Sequence, residues 1–207
     1  FSAMYVSQLR QEINRMLGMA RQNVEMAFEA VLAADPKYLE KAEETEEYLD
    51  FLNREICRYI SDVIVNESNE RDSAAISAYY LISGNIERIG DHAINICEYT
   101  QLLKKKNIRF SDEAASELRG MQNVCLEAID LLETDPGVDM NRWLDRVSDL
   151  EQKIDDMTGE YRDRQLDRMR RGTCTDEGGI IFSELLTDFE RIGDHVLNIA
   201  QQRVKAG

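Results

Sequence analysis

The sequence predicts an all-α protein made of two tandem, pseudo-symmetric, antiparallel three-helix bundles, and three observations support this. The segment NIERIGDHAINI at residues 85–96 recurs as DFERIGDHVLNI at residues 188–199 of a 207-residue chain. Apolar residues recur every three or four positions over long stretches, which is the period of a helix with one buried face. The chain contains only two prolines, and 31% of its residues are charged. A repeat of this kind indicates one structural unit present twice.

The first unit contains three predicted helices separated by recognisable breaks. Asp35-Pro36 ends the first helix, because proline disfavours helix at the residue before it. The polar segment 66–69 ends the second, and Ser68 or Asn69 is expected to cap the third. Three lysines close that third helix, where positive charge suits the C-terminus. The predicted ranges are about 4–33, 37–65 and 70–106.

The second unit repeats this arrangement. Gln22-Asn23-Val24 and Asp35-Pro36 recur as Gln122-Asn123-Val124 and Asp135-Pro136. Ser111 is predicted to cap the fourth helix, Gly172 to end the fifth, and Thr173 or Thr175 to cap the sixth. The fourth and fifth helices are expected at about 112–133 and 140–170, and the sixth carries the second motif. The linker at 107–111 divides the chain into domains 1–106 and 107–207.

The repeated motif places acidic and apolar residues on different faces of its helix. At about 100° per residue, Glu87, Asp91 and Asn95 form a stripe nearly opposite an apolar face. In the second copy, Glu190, Asp194 and Asn198 form the same stripe. Two carboxylates one turn apart repel each other, so their presence in both copies indicates a use, and a metal ion held by carboxylate oxygen is the natural candidate. The alternative is a solvated surface, which is the usual role of such a face.

The second helix of each unit carries a further Glu-x-x-x-Asp pair. Alignment of Leu49 with Ile154 places Glu46 and Asp50 opposite Glu151 and Asp155. If the helices pack as neighbours, four carboxylates could converge in each half. For Glu46 and Asp50 a solvated role remains open, since that helix is acidic throughout.

Other residues of the motif have simpler interpretations. Gly90 and Gly193 lie in mid-helix, where each costs up to about 1 kcal/mol relative to alanine. Close approach of a neighbouring helix would explain them. His92 and His195, at the edge of the apolar face, are expected to make a hydrogen bond at the helix boundary, and a role as metal ligands alongside the neighbouring Asp is the alternative. Their neighbours Arg88 and Arg191 are expected to pair with carboxylates.

Composition excludes several classes of function. The net charge of −15 argues against nucleic-acid binding, which depends on lysine and arginine, and suits cations or basic partners. Four scattered cysteines with no C-x-x-C form neither a zinc set nor a disulfide framework, which favours a reduced, cytoplasmic protein. No apolar run is long enough to span a membrane. The first residue, Phe1, is not methionine, which suggests a piece of a longer protein.

These motifs resemble the PhoU family of phosphate-uptake regulators over essentially the whole chain. The most specific part is ERIGDH followed by Asn, present twice. The resemblance implies multinuclear iron or zinc clusters bound at the bundle surface. The implied ligands are Glu87, Asp91, Glu190 and Asp194, then Glu46, Asp50, Glu151 and Asp155. Residues 172–200 look most like the PhoU-like domain at the C-terminus of bacterial sodium/phosphate cotransporters.

The resemblance implies a regulatory function in phosphate uptake. The chain is expected to be a non-catalytic, metal-binding, cytoplasmic regulator of phosphate uptake, attached to a cotransporter in an inner membrane. The alternative within the family is a stand-alone PhoU-type regulator of a phosphate transporter and its signalling kinase. The implied partners are a transporter membrane domain or phosphate transporter and sensor proteins, and a homo-oligomer is left open. Iron, manganese, magnesium, calcium and zinc all remain candidates for the metal.

Two functions outside the family are alternatives to this one. A carboxylate-bridged di-iron oxidase usually requires Glu-x-x-His motifs that face the bundle interior, whereas each His here follows Asp directly. A metal-free scaffold with an acidic docking face has the same fold and differs only in metal content. No catalytic turnover is expected, because Gly178-Gly179 lacks the Lys and Ser/Thr of a phosphate-binding loop.

Overall fold

The computed structural model describes residues 2–65 and 70–207, and over these ranges the chain forms six α-helices and no strands. The predicted all-helical fold is confirmed, with boundaries within one or two residues of those expected. The turn expected at 66–69, with its cap at Ser68 or Asn69, lies outside the described residues. The helices are α1 (Ser2–Ala33), α2 (Lys37–Ile64), α3 (Glu70–Lys105), α4 (Asp112–Glu133), α5 (Met140–Arg170) and α6 (Asp176–Ala206).

Local hydrogen bonds explain where the helices of the second unit begin and end. Ser111 accepts a hydrogen bond from the backbone N–H of Ala114 at 3.1 Å, and Thr175 accepts one from Gly178 at 3.0 Å. Each side chain satisfies a donor that a helix start leaves unpaired. Thr175, rather than Thr173, is therefore the cap of α6. Gly172, at φ +69°, provides the left-handed residue that ends α5.

Four helices form the centre of the molecule, and the other two cover it from opposite sides. α1, α3, α6 and α4 pack around a square in that order, so the two motif helices, α3 and α6, are neighbours. α2 lies on α1 and α3, whereas α5 lies on α4 and α6. Each unit thus contributes two helices to the centre and one to the outside. The division into domains 1–106 and 107–207 stays a prediction.

The core is continuous across the two units. Phe28 of α1 and Phe189 of α6 come from diagonally opposite helices, and their rings stack with centroids 4.4 Å apart. Both side chains are fully buried. The apolar faces predicted for α1 and for both motif helices are buried as expected, and these faces contain Leu9, Ile13, Met16, Ala20, Val24, Ala27, Val31, Ile82, Ile86, Ile89, Ala93, Ile96, Leu185, Phe189, Ile192, Val196 and Ile199.

A buried ion pair joins α4 to α5 in the second unit. The guanidinium of Arg168 donates to both carboxylate oxygens of Glu117, at 2.7 and 2.9 Å, and both side chains are 3% exposed. Arg168 also donates to Glu113 at 2.9 Å. The two parallel hydrogen bonds fix the orientation of the helices as well as their distance.

Within the described residues, none of the helices is both long and apolar enough to cross a bilayer.

The stacked phenylalanines provide a test of the shared core. We expect Phe28→Ala and Phe189→Ala each to lower the free energy of unfolding by about 3–5 kcal/mol, because each leaves a cavity in packed surroundings. The double variant should lose less than the sum, by about 0.5–1.5 kcal/mol, since the rings contact each other. Chemical denaturation of the four proteins measures both quantities. Val138→Ala, at a fully exposed position, is the control, and strict additivity would contradict the shared contact.

Candidate metal centres

Two glycines bring the outer helices close to the motif helices. A Cβ placed on Gly90 of α3 would collide with the carboxylate of Glu46 on α2 and lie 3.3 Å from Leu49 Cδ1. A Cβ on Gly193 of α6 would lie 3.2 Å from Ile154 Cδ1 on α5. The close approach predicted at both glycines is confirmed. Acidic side chains on facing helices consequently lie opposite one another.

The first cluster consists of Glu46 and Asp50 on α2 and Asp91 on α3. One carboxylate oxygen from each lies within 4.8 Å of the others. Both oxygens of Glu46 and Oδ1 of Asp50 are buried and have no hydrogen-bond partner in the described part of the chain. Burial, followed by the neighbouring Asp91, raises the pKa of Glu46 to about 9. The site thus disfavours the negative charge that its own residues carry.

Glu87 extends the first cluster along the groove between α2 and α3. Its Oε2 accepts a hydrogen bond from Asn53 Nδ2 at 2.5 Å, and Asn53 Oδ1 in turn accepts one from Ser83. Burial raises the pKa of Glu87, and the carboxyl group of Asp50 beside it raises that pKa further. The four acids predicted for the first half therefore lie in one connected group.

The second cluster consists of Glu151 and Asp155 on α5 and Asp194 on α6. One carboxylate oxygen from each again lies within 4.8 Å of the others. Burial, followed by Asp155, raises the pKa of Glu151 to about 7. Burial also raises the pKa of Asp194, with Asp155 as the next cause. Three of the four acids predicted for this half are brought together.

Glu190, the fourth predicted acid of the second half, has a different neighbour. Its Oε2 lies 4.0 Å from Nη1 of Arg162 on α5. Arg162 also donates to Thr187 Oγ1 at 2.7 Å, which holds the guanidinium in the groove between α5 and α6. Glu190 therefore faces a cation instead of joining the cluster.

The surroundings of the acids differ from the exposed stripe that the sequence predicts. Asp91 and Asn95 are exposed, but Glu87 is half-buried and the Glu46 oxygens are buried. The physical reason is the contact at Gly90, which places α2 over one edge of the stripe. Both clusters thus lie in grooves between helices.

The residues of both clusters fit a divalent cation. Carboxylates held close to one another repel, and a buried carboxylate oxygen without a donor is costly. A cation among them would remove both penalties, and oxygen ligands suit manganese, ferrous iron, magnesium, calcium or zinc. The buried Glu46 oxygens are the observation that supports this fit most directly.

The two histidines join the motif helices to each other. Nδ1 of His92 lies 2.9 Å from Oδ1 of Asp188, and Nδ1 of His195 lies 3.1 Å from Oδ1 of Asn85. The imidazole rings stack with centroids 5.4 Å apart. Burial lowers the pKa of His195 to about 4. The expected hydrogen bond at the helix boundary is thus made, and it runs between the two halves.

The motif arginines also lie near acids. Arg191 Nη1 lies 3.9 Å from Asp194 Oδ2 on the same helix. Arg88 lies near enough to Glu87 to oppose, as a minor cause, the rise in the pKa of that carboxyl group.

Sequence reasoning missed three residues that shape these grooves, namely Asn53, Ser83 and Arg162. The signal was present on α2, where Glu46, Asp50, Asn53 and Cys57 follow one another at helical spacing. When the alignment of Glu46 and Asp50 with Glu151 and Asp155 is continued along the helices, Asn53 pairs with Thr158 and Cys57 pairs with Arg162. This comparison would have identified Asn53 and Arg162.

Comparison with known families identifies the repeated unit. The profile of the PhoU domain matches this chain twice, at residues 13–100 and 119–202. A curated relative, the phosphate-specific transport system accessory protein PhoU homolog 1 of Thermotoga maritima, is 26% identical over 200 residues. That alignment covers 94% of this chain and 83% of the relative.

Solved structures share the fold at low sequence identity. PhoU from Pseudomonas aeruginosa superposes with a TM-score of 0.90 at 18% identity, over 100% of this chain and 98% of that one. The phosphate transport system regulatory protein PhoU from Streptococcus pneumoniae gives 0.88 at 15% identity, over 100% and 96%. These likenesses show a common arrangement of helices.

The raised pKa of Glu46 predicts that an uncharged side chain at this position stabilises the fold. We expect Glu46→Gln to raise the midpoint of thermal unfolding at neutral pH in chelator, because folding then no longer requires protonation of a carboxyl group that is ionised in the unfolded chain. A gain of about 1 kcal/mol would appear as about 2–4 °C in a chain of this size. Glu44→Gln, an exposed acid on the same helix, is the control and should change the midpoint little. A lower midpoint for Glu46→Gln would contradict this account of the groove.

Proposed function

The chain belongs to the PhoU domain family, and from this premise we propose that it regulates a phosphate transport system through metal ions bound at its two carboxylate clusters. The support for regulation is the family match, together with a relative named as an accessory protein of phosphate-specific transport. The support for metal binding is the buried, unpartnered carboxylate of Glu46 beside Asp91.

Each metal ion would be bound by carboxylates from one outer helix and one central helix. Glu46 and Asp50 project from the outer helix α2, whereas Asp91 projects from the central helix α3. Coordination of oxygens from both helices would hold α2 against the centre, and Glu151, Asp155 and Asp194 would do the same for α5. A bound divalent ion supplies the positive charge that these acids lack. The rigid outer surfaces of α2 and α5 would then be available to a protein partner.

Among family members, a PhoU-type regulator acting on separate transporter and sensor proteins is favoured over a domain attached to a sodium/phosphate cotransporter. The curated relative from Thermotoga maritima is named as an accessory protein of a phosphate-specific transport system, and 83% of its length is matched. The regulator acts in the cytoplasm and does not itself catalyse a reaction.

A di-iron oxidase receives no support from the geometry. Its carboxylates would face the centre of a four-helix bundle, and here the centre of α1, α3, α4 and α6 holds apolar side chains such as Phe28 and Phe189. Both clusters lie under the outer helices instead.

Metal binding predicts a shift in stability that depends on the clusters. We expect manganese, ferrous iron or zinc to raise the unfolding midpoint of the chelator-treated protein. Saturation about 100-fold above Kd stabilises by about 2.7 kcal/mol per site, which is about 5–10 °C here. The variant Glu46→Gln/Asp91→Asn/Glu151→Gln/Asp194→Asn nearly keeps shape and should show no such shift. Equal shifts in both proteins would show that the clusters are not the sites.

Regulation predicts a phenotype in the organism that encodes the chain. After deletion of the gene, we expect the rate of phosphate uptake to stop responding to external phosphate. The wild-type gene should restore the response, and so should Glu43→Gln/Glu44→Gln, which changes exposed acids of α2. The four-residue cluster variant should not. An unchanged response after deletion, measured with radiolabelled phosphate, would contradict the proposed function.

A further inference from the structure

The outer face of α2 exposes two aromatic side chains next to α1. Tyr48 is 39% exposed and Phe51 is 46% exposed, and their rings stack with centroids 6.1 Å apart. Arg15 of α1 donates a hydrogen bond to the hydroxyl of Tyr48 at 2.9 Å, and its Cζ lies 5.5 Å from the centroid of that ring. These contacts hold the aromatic pair at the boundary between the two helices. Exposed apolar side chains that lie side by side, unlike scattered ones, are typical of binding surfaces.

A cleft between α1 and α2 begins next to this pair and has a volume of about 480 Å³. Leu9, Leu52 and Ile56 form its buried apolar floor. Tyr59 also lines the cleft, and the distance along α2 from Tyr48 to Tyr59 is three helical turns, or about 17 Å. The cleft thus has the length and the apolar floor that suit an amphipathic helix of about three turns.

The second unit shows that the fold does not require an aromatic surface here. When the two units are aligned, the positions of Tyr48 and Phe51 correspond on α5 to Lys153 and Asp156, which are charged and exposed. The surroundings of the two helices are equivalent, because α2 lies on α1 and α3 as α5 lies on α4 and α6. The aromatic pair is therefore a feature of the first unit that packing of the outer helix does not explain.

The length of α1 is a second difference between the units, and it provides one wall of the cleft. α1 has 32 residues, whereas its counterpart α4 has 22. Asp112, the first residue of α4, aligns with Glu12, so residues 2–11 of α1 have no helical counterpart. Gln8 and Gln11, which line the cleft, belong to this extension. The linker occupies the same place in the second unit, which consequently lacks this wall.

The charges that border the cleft indicate the kind of partner it fits. Of the described residues that line it, two are charged, Glu12 and Glu55, and both are acids. Glu44 and Glu47 lie exposed in the turn before the aromatic pair. An apolar cleft with acidic borders attracts a helix that carries lysine and arginine beside an apolar stripe.

The arginines near the cleft do not cancel this acidic border. Arg15 is held against Tyr48, and Arg58 pairs with Glu55 at 3.0 Å. Both partners of that ion pair are well exposed, so their attraction is weak and a cation from a partner can replace it. Arg54 lies about 120° around α2 from Tyr48, away from the cleft.

Two other occupants of the cleft fit the charges less well. A second copy of this chain would bring its own net charge of −15 against an acidic border. A membrane rich in anionic lipid attracts basic segments of proteins, and the border of this cleft has the opposite sign. A separate protein that presents a basic helix is the occupant that the charges favour.

We propose that the cleft between α1 and α2, with Tyr48 and Phe51 at one end, is a docking site for a basic amphipathic helix of a partner protein. The apolar stripe of that helix covers the floor of the cleft, and its lysines and arginines face Glu12 and Glu55. This proposal rests on the proposed regulatory function for the use of the docking, and it goes beyond that function by assigning the surface and the kind of partner. It requires no metal at either cluster.

Photo-crosslinking in the organism that encodes the chain tests the docking site directly. The photoreactive amino acid p-benzoylphenylalanine replaces Phe51 or, as the matched control on α5, Asp156, and cross-linked peptides are identified by mass spectrometry. We expect an adduct from the first position and not from the second. The segment captured should belong to another protein, with apolar residues at helical spacing and an excess of lysine and arginine.

Four results of the cross-linking would overturn the proposal. They are an adduct with a second copy of this chain, an adduct with lipid, an adduct with an acidic segment, and the absence of any adduct specific to the position of Phe51.

A synthetic peptide of the captured segment then measures the contribution of the aromatic pair. The variant Tyr48→Lys/Phe51→Asp gives α2 the residues that α5 carries at these exposed positions, and circular dichroism checks that its helices form. We expect the Kd of the peptide to rise about tenfold or more in this variant, because aromatic anchors dominate such interfaces. Lys153→Ala/Asp156→Ala is the control and should bind as the wild type does. Equal affinity of the aromatic variant and the wild type would contradict the proposal.

Phosphate uptake separates this proposal from the function on which it rests. If the response to external phosphate survives Tyr48→Lys/Phe51→Asp but is lost in the four-residue cluster variant, the docking site is wrong and the regulatory function stands. If deletion of the gene leaves the response unchanged, the proposed function is wrong, whereas the cross-link and the peptide affinity still decide the docking site.

Discussion

The close contact of an outer helix with a motif helix, at Gly90 and at Gly193, is the constraint on which the functional part of the molecule depends. Each mid-helix glycine costs up to about 1 kcal/mol relative to alanine, and the acids gathered beside it repel one another. Both costs are local and unfavourable. They are tolerated because the helices bury one continuous apolar core, which includes Phe28 and Phe189 and also Leu49 and Ile154 beside the two glycines.

Much of this arrangement could be predicted from the sequence, and the remainder has a clear physical reason. Helical periodicity identified all six helices, and the internal repeat identified the acids at 46, 50, 91 and their counterparts, because both signals lie within single helices. The surroundings of Glu190 could not be predicted, since they depend on Arg162 in another helix. The contact between Phe28 and Phe189 could not be predicted either, because packing between the two units leaves no periodic pattern in the sequence.

The two halves show how a duplicated unit can diverge without a change in its backbone. At the junction of the motif helices, His92 faces Asp188 while His195 faces the uncharged Asn85. In the grooves, the first unit has the neutral Cys57 where the second unit has the charged Arg162, so the charged residue again belongs to the second unit. In each case a single side chain changes the charge of a position that the fold keeps fixed. The repeat therefore supplies two equivalent frameworks whose electrostatic properties can be adjusted independently.

The diagonal stack of Phe28 and Phe189 also has a consequence for the order of events on the ribosome. Phe28 precedes Phe189 by about 160 residues, so the central face of the first unit must wait until most of the second unit has been synthesised. At about 5–20 residues per second, that delay is on the order of ten seconds or more. During this time an apolar surface of α1 and α3 is exposed to the cell.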